Sequence, residues 1–306
     1  MRRFPSMDYS LPMEPEGRAR AARGLAAALG VSGAILAVEV AGGAIAHSLA
    51  LWADAGHVLT DVAALSLSYV AVRIAERGAS ARHTFGLYRA EILAAFVNAQ
   101  ILLVVCGAIL WEAWRRLERP EPIAAVPMLA FGAVALAGNL VSVRFLHPHR
   151  QDSLNLRGAY LEVAADALAS AAVVAAAGAI AVTGKRWIDP ALSVAIALFI
   201  LPRTVSILRQ SAHILLEGAP AEVDQPGLTG VLQTLPGVLS VHDLHVWTLT
   251  SGVHCASLHV AIGPGTDPSA VLREVEEKLR SDHHVEHATI QIEVREPAEC
   301  GPLARH

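Results

Sequence analysis

Two segments of this chain carry metal-ligand side chains at helical spacing inside otherwise apolar stretches. LWADAGHVLTDVAALSLSYVAV holds Asp54, His57 and Asp61 at i, i+3 and i+7, which is one face of a helix. His57 and Asp61 stand one turn apart and can hold a single ion between them. LNLRGAYLEVAADALASAAVV repeats the i, i+4 spacing with Glu162 and Asp166. Two helices that each offer a pair can close a four-ligand shell, the number Zn²⁺ prefers. A single polar residue in such a stretch reads as glue between helices. Two matched pairs argue for a bound cation, because a charge buried in lipid is costly unless partnered. Asn98, Gln100 and Asn139 are isolated amides and read as interhelical hydrogen bonds.

The elements that carry these pairs must be helices in a membrane. Of 306 residues, 54% are AVILMFWYC and 17% are charged, against about 25% charged in soluble domains. That composition points away from an ordinary soluble enzyme and excludes disorder. Six apolar stretches follow one another, at 24–46, 50–75, 90–114, 123–146, 158–182 and 188–209. Each is long enough to cross a hydrocarbon core about 30 Å thick. Their apolar runs are continuous, not alternating, so they predict helices and not barrel strands. Ala and Gly fill them (GGAIA, AVALAG, ASAAVVAAAGAIA), which lets helices approach closely.

Basic residues set the orientation. Arg2, Arg3, Arg18, Arg20 and Arg23, the second loop (Arg73, Arg77, Arg82, Arg89), the fourth loop (Arg144, Arg150, Arg157) and the exit (Arg203, Arg209) fall on one side. The other side has Arg115, Arg116, Arg119, Lys185 and Arg186. This bias puts both termini in the cytoplasm. The Arg-rich N-terminus does not read as a cleavable signal peptide. Cys106, Cys255 and Cys300 are isolated and predict reduced thiols. Neither a phosphate-binding P-loop nor H-E-x-x-H occurs, which disfavours a nucleotide-driven pump and a metalloprotease.

Beyond residue 210 the chain turns acidic. Residues 210–306 hold 5 Lys or Arg, 13 Asp or Glu and nine of the 14 histidines. PAEVDQPGLTGVLQTLPG predicts a short helix. VLSVHDLHVWTLT and GVHCASLHVAI predict two strands joined at Ser251-Gly252. PSAVLREVEEKLRSD predicts an amphipathic helix and HATIQIEV a last strand. The result is a small α+β module on a three-stranded sheet. His242, His245, His254, His259, His283, His284 and His287 make it a candidate sensor. Strand alternation turns His245 off the face of His242.

HSLALWADAGHVLTD, RHTFGLYRAEILAAFVNA and NLRGAYLEVAADALAS, followed by VHDLHVWTLTSGVHCASLHV and HATIQIE, resemble the cation diffusion facilitator family in its zinc-transporter branch. The resemblance runs from about residue 24 to 296. It implies six transmembrane helices, a C-terminal ferredoxin-like cytosolic domain, a homodimer, and exchange of divalent metal ions for protons. By position it assigns His57, Asp61 and Asp166 to transport, and His242, His259 and Glu293 to a cytosolic metal site; Cys300 in the tail is a supplementary candidate from the residues alone. Zinc members usually carry His where this chain has Glu162. That departure makes the four-residue site −3 with its carboxylates ionised and −1 with a divalent ion. It also offers Glu162 as a partner of His57 in proton exchange. The accessory two-histidine site of related exporters has His83 here but Leu87 in the second place, and is degraded. His147 and His149 read as a solvated loop pair.

The expected organisation is a cytosolic segment 1–23, a transport domain 24–209, a cytosolic metal-binding domain 210–296 and a tail 297–306. The expected function is Zn²⁺ export, with Cd²⁺ or Co²⁺ as further cargo, from a bacterial cytoplasm across the inner membrane against protons. Nucleic acid is not an expected partner. The alternatives are a Mn²⁺ or Fe²⁺ exporter of the same fold, suggested by the hard ligand Glu162, and a non-transporting membrane-anchored metal sensor or scaffold.

Overall fold

The computed structural model describes residues 15–75, 81–147, 154–250, 252–283 and 285–294. Six long helices come first: α1 (Pro15–Ala46), α2 (Leu49–Ala75), α3 (Tyr88–Glu118), α4 (Ala125–Leu146), α5 (Leu154–Thr183) and α6 (Ile188–Leu215). Five of them, α1 and α3 to α6, contain spans apolar and long enough to cross a membrane. The remaining helix, α2, carries Asp54, His57 and Asp61. α1 starts at Pro15, ahead of the apolar stretch that begins at 24. Proline fits a first helical turn, and the Arg- and Ala-rich residues after it are good helix formers, so the helix runs on past its apolar part.

The helix-forming composition explains the packing that follows. α1 lies against α2 and α4, α4 against α5, and α2 against α5. Glycine makes the first two contacts close. A Cβ at Gly42 would lie 2.6 Å from Phe131 Cβ, and one at Gly43 would lie 2.9 Å from the Trp52 ring. Leu51, Met128, Val173, Ala177, Ile196 and Ile200 form the apolar centre of this unit.

The start of α2 is fixed by a residue from α6. Asp189 is fully buried, and its carboxylate accepts from Ser48 Oγ (2.5 Å), Leu49 N (2.8 Å) and Ala50 N (3.2 Å). These backbone donors have no partner within their own helix, and a carboxylate also suits the positive end of the helix dipole. The preceding turn passes through His47 at φ 55, whose carbonyl accepts from Arg116 Nη1 (2.5 Å). α2 is thereby anchored two turns before its ligand residues.

The second unit contains α7 (Gln225–Gln233), β1 (Val238–Thr250), β2 (Val253–Ile262), α8 (Pro268–His283) and β3 (Val285–Glu293), together with Leu87 and the start of α3 up to Leu93. The sheet order is β1-β2-β3, with β1 antiparallel and β3 parallel to β2. The hairpin turns through Gly252 at φ 75. The anticipated helix–strand–strand–helix–strand order is present. Leu228 and Leu232 of α7 and Val271, Val275 and Leu279 of α8 cover one sheet face, formed by Ala256, Leu258, Val260 and Ile262 on β2. The opposite face holds His259. Arg89 pairs with Glu217 (3.0 Å) and Thr250 Oγ1 donates to Glu91 (2.8 Å) within this unit.

Candidate metal sites

In the membrane helices, His57 and Asp61 of α2 and Asp166 of α5 converge. One ligand atom from each lies within 4.8 Å of the others. His57 Nε2 is 3.1 Å from Asp166 Oδ1, a buried oxygen that accepts no aligned hydrogen bond. Asp166 is 8% exposed, and His57 and Asp61 are half-buried. One imidazole and two carboxylates at this spacing fit a four-coordinate ion that keeps a fourth position open, the arrangement from which an ion can be released. With the His neutral, the trio carries −2 and becomes neutral with a divalent ion.

Glu162, one turn before Asp166, is not in the trio. Its Oε1 accepts from Arg203 Nη1 on α6. Arg203 follows Pro202, a residue with no N–H to give to the helix ladder. The ion pair takes the charge of Glu162 out of the site's balance. The −3 of four residues counted together becomes −2 for the trio and zero for the pair. From sequence, Arg203 counts only as a basic residue near a helix end, and nothing in its spacing links it to Glu162.

Asp54 shares a helix face with His57 but turns to different partners. It is 2% exposed, and its Oδ2 accepts from Ser170 Oγ of α5 (3.4 Å). Ser170 Oγ in turn accepts from Asn139 Nδ2 of α4 (3.1 Å), the interhelical bond anticipated for that amide. Glu39 of α1 is fully buried, and its carboxylate lies close enough to Asp54 to interact with it. Glu39 is a lone carboxylate in an apolar span, by that fact alone a candidate, and no ligand-type residue one turn away marks it in the sequence.

In the second unit, His242 of β1, His259 of β2 and Glu293 of β3 offer ligand atoms within 4.8 Å of one another. Register explains the meeting. His242 pairs directly with His259, and Glu293 pairs with Ala261, two residues on along the same face. The two rings meet edge to face at 5.2 Å. His259 Nδ1 is 3.1 Å and His242 Nε2 3.5 Å from the Glu293 carboxylate. Both nitrogens of His242 are buried without an aligned hydrogen bond.

A bulge corrects the alternation argument for His245. β1 passes from His242↔His259 to His245↔Ser257, three residues against two, through Asp243 at φ 51. The extra residue returns His245 to the face of His242. Its ring then turns to Asp243 (3.0 Å) and stays out of the trio. Asp243 also reaches within 3.8 Å of His259 Nε2, a neighbour that spacing alone does not reveal. His254 faces the other way, 3.1 Å from Thr248 Oγ1. Burial pushes the Cys255 thiol up, against the opposing pull of Arg89, and so favours its protonated form. His147 stacks edge to face with Tyr160. Segment 1–14, His149, His284, Cys300 and the tail 297–306 lie outside the described residues.

Comparison with known proteins follows the same division. Residues 25–216 match the cation efflux transmembrane domain, and residues 220–295 match the cytoplasmic domain of cation efflux proteins. The metal cation efflux system protein CzcD of Cupriavidus metallidurans is 43% identical over 285 residues, 93% of this chain and 90% of its own. The zinc transporter ZitB of Escherichia coli is 40% identical over 274 residues, 89% and 87% of the two chains. The cadmium, cobalt and zinc/H(+)-K(+) antiporter of Bacillus velezensis is 36% identical over 261 residues, 84% and 83%.

Proposed function

The chain belongs to the cation efflux, or cation diffusion facilitator, family, and from that premise we propose that it exports Zn²⁺, with Cd²⁺ and Co²⁺ as further cargo, in exchange for protons. The metals named for the relatives favour these ions over Mn²⁺ and Fe²⁺. The observation that carries the reading is the buried His57–Asp61–Asp166 trio, a ligand set split between two membrane helices. A set divided in this way can be assembled on one side of the membrane and opened on the other.

Charge decides how such a site crosses a membrane. Each uncompensated charge moved against a potential costs about 2.3 kcal/mol per 100 mV. The loaded trio is neutral, and the empty trio carries −2. Two returning monovalent cations per metal ion therefore make the exchange electroneutral. Glu162 serves as a fourth ligand when Arg203 releases it, and is otherwise held out of the shell.

The cytosolic trio is a regulatory Zn²⁺ site. Two neutral imidazoles and one carboxylate bind a divalent ion with a net +1. That charge offsets part of the acidic balance of residues 210–306 and lets the domains of a homodimer approach. Both termini lie in the cytoplasm of a bacterial inner membrane. The scaffold alternative gains nothing from unneutralised carboxylates in membrane helices. Proteoliposomes with an imposed pH gradient test the reading directly. Zn²⁺ movement that follows the gradient supports it, and gradient-independent leakage or preferred Mn²⁺ movement overturns it.

A further inference from the structure

The buried polar groups do not end at the metal trio. Asn139 donates to Ser170 and Ser170 donates to Asp54, so the donors of this chain run out at the Asp54 carboxylate. Beyond it stands Glu39, 0% exposed, with neither oxygen accepting a hydrogen bond from the described residues. Its carboxylate and that of Asp54 lie close enough to interact, acceptor with acceptor. The charges acting on Glu39 are Asp54 and Asp166, both acidic. Those acting on Asp54 include Asp166 and His57. Two carboxylates facing each other in a buried site strongly favour taking up a positive charge between them.

We propose that Glu39 and Asp54, with Ser170 and Asn139 behind them, form a second cation site that takes one monovalent counter-cation and is distinct from the metal trio. The oxygen-only donor set suits a hard cation or a shared proton and does not suit Zn²⁺, which favours nitrogen and sulfur. Its link to transport is α5, on which Ser170, the donor to Asp54, stands one turn after Asp166 of the trio, whose charge is felt by the pair. When a divalent ion offsets the charge of Asp166, the pair holds its own cation less tightly and releases it inward. When the metal leaves on the far side, the pair takes up a cation there. Of the two returning charges, one then resides on the trio and one on this pair. The inference rests on the antiport reading above and assigns one of its counter-ions a place.

Glu39→Gln tests it, because the amide keeps the shape and supplies a donor to Asp54 while removing the charge. In proteoliposomes the counter-cations returned per Zn²⁺ should fall from two to one, and transport should become sensitive to membrane potential. Potassium-free vesicles with a pH gradient, and vesicles at one pH with a potassium gradient, distinguish a proton from K⁺ as the occupant. Infrared difference spectra of the purified full-length protein give a reading that needs no transport. A protonated-carboxyl band lost on adding Zn²⁺, or on adding K⁺, and absent from Glu39→Gln, is the expected result. Should Glu39→Gln not reach the membrane, Asp54→Asn removes the other member and is read in the same way. An unchanged counter-cation ratio together with an unchanged carboxyl band overturns the inference. A wild-type protein that moves no metal but shows the band overturns the antiport reading and leaves the pair standing.

Discussion

The two trios are built from the same side-chain types and differ in their charge and in what positions them. His57, Asp61 and Asp166 come from two helices, and a divalent ion leaves them neutral. His242, His259 and Glu293 come from three strands, and the same ion leaves them at +1. A neutral product suits a site that crosses lipid, where residual charge is costly. A positive product suits a domain whose own balance is acidic. The supports differ in the same sense. Helices can slide or tilt and so separate Asp166 from His57, whereas sheet register locks His242 opposite His259. One trio is built to be taken apart and the other to stay together.

Crossed substitutions give the largest expected effect. Asp61→Ala should reduce Zn²⁺ transport by more than about 100-fold, beyond the 10–100-fold seen when only a ligand's neighbour is lost. It should leave metal binding by the cytosolic trio intact. His242→Ala should do the opposite, removing one bound ion per protomer in calorimetry on the full-length protein while transport at saturating Zn²⁺ persists. Loss of transport in both variants would mean that the cytosolic ion is obligatory and not regulatory, and the comparison would break.

Those ligands are also where the sequence was most legible. The i, i+4 pairs, the apolar runs and the strand pattern mark the helices, the small sheet and which helices carry ligands, because each depends on local periodicity. What escaped depends on contacts between distant residues. Asp189 caps α2 from 140 residues away at Leu49 N, and no local pattern announces it. Arg203 reaches Glu162 across 41 residues. The bulge at Asp243 shifts the β1 register by one, which defeats strict alternation without leaving a glycine to mark it. Glu39 is the exception, a visible residue in an apolar span with no second ligand one turn away to draw notice.

A smaller effect tests why the membrane trio is charge-balanced. Arg203→Gln removes the cation that occupies Glu162 and returns a third carboxylate to the site. Transport of Mn²⁺ relative to Zn²⁺ should rise by about tenfold, an effect of about 1.4 kcal/mol, because added oxygen donors favour harder ions. Glu162→His alongside Arg203→Gln should restore the preference for Zn²⁺. Competition between the two metals in proteoliposomes reads both variants. An unchanged preference in Arg203→Gln would mean that Glu162 stays outside the shell even when freed.

The smallest effect concerns the bulge beside the cytosolic trio. Asp243 adopts φ 51, a conformation that Asn also tolerates because its short polar side chain makes local hydrogen bonds. Asp243→Asn should therefore keep the bulge and the pairing of His242 with His259, and remove only a negative charge 3.8 Å from His259. Metal affinity of the cytosolic site should fall by about tenfold or less, the low end of what ligand neighbours contribute. Asp243→Val, whose branched side chain resists this conformation, should flatten the bulge, shift His242 out of register and cost far more. Equal losses in the two variants would place the contribution of Asp243 in its charge, and a loss confined to Asp243→Val would place it in the backbone that aligns the three strands.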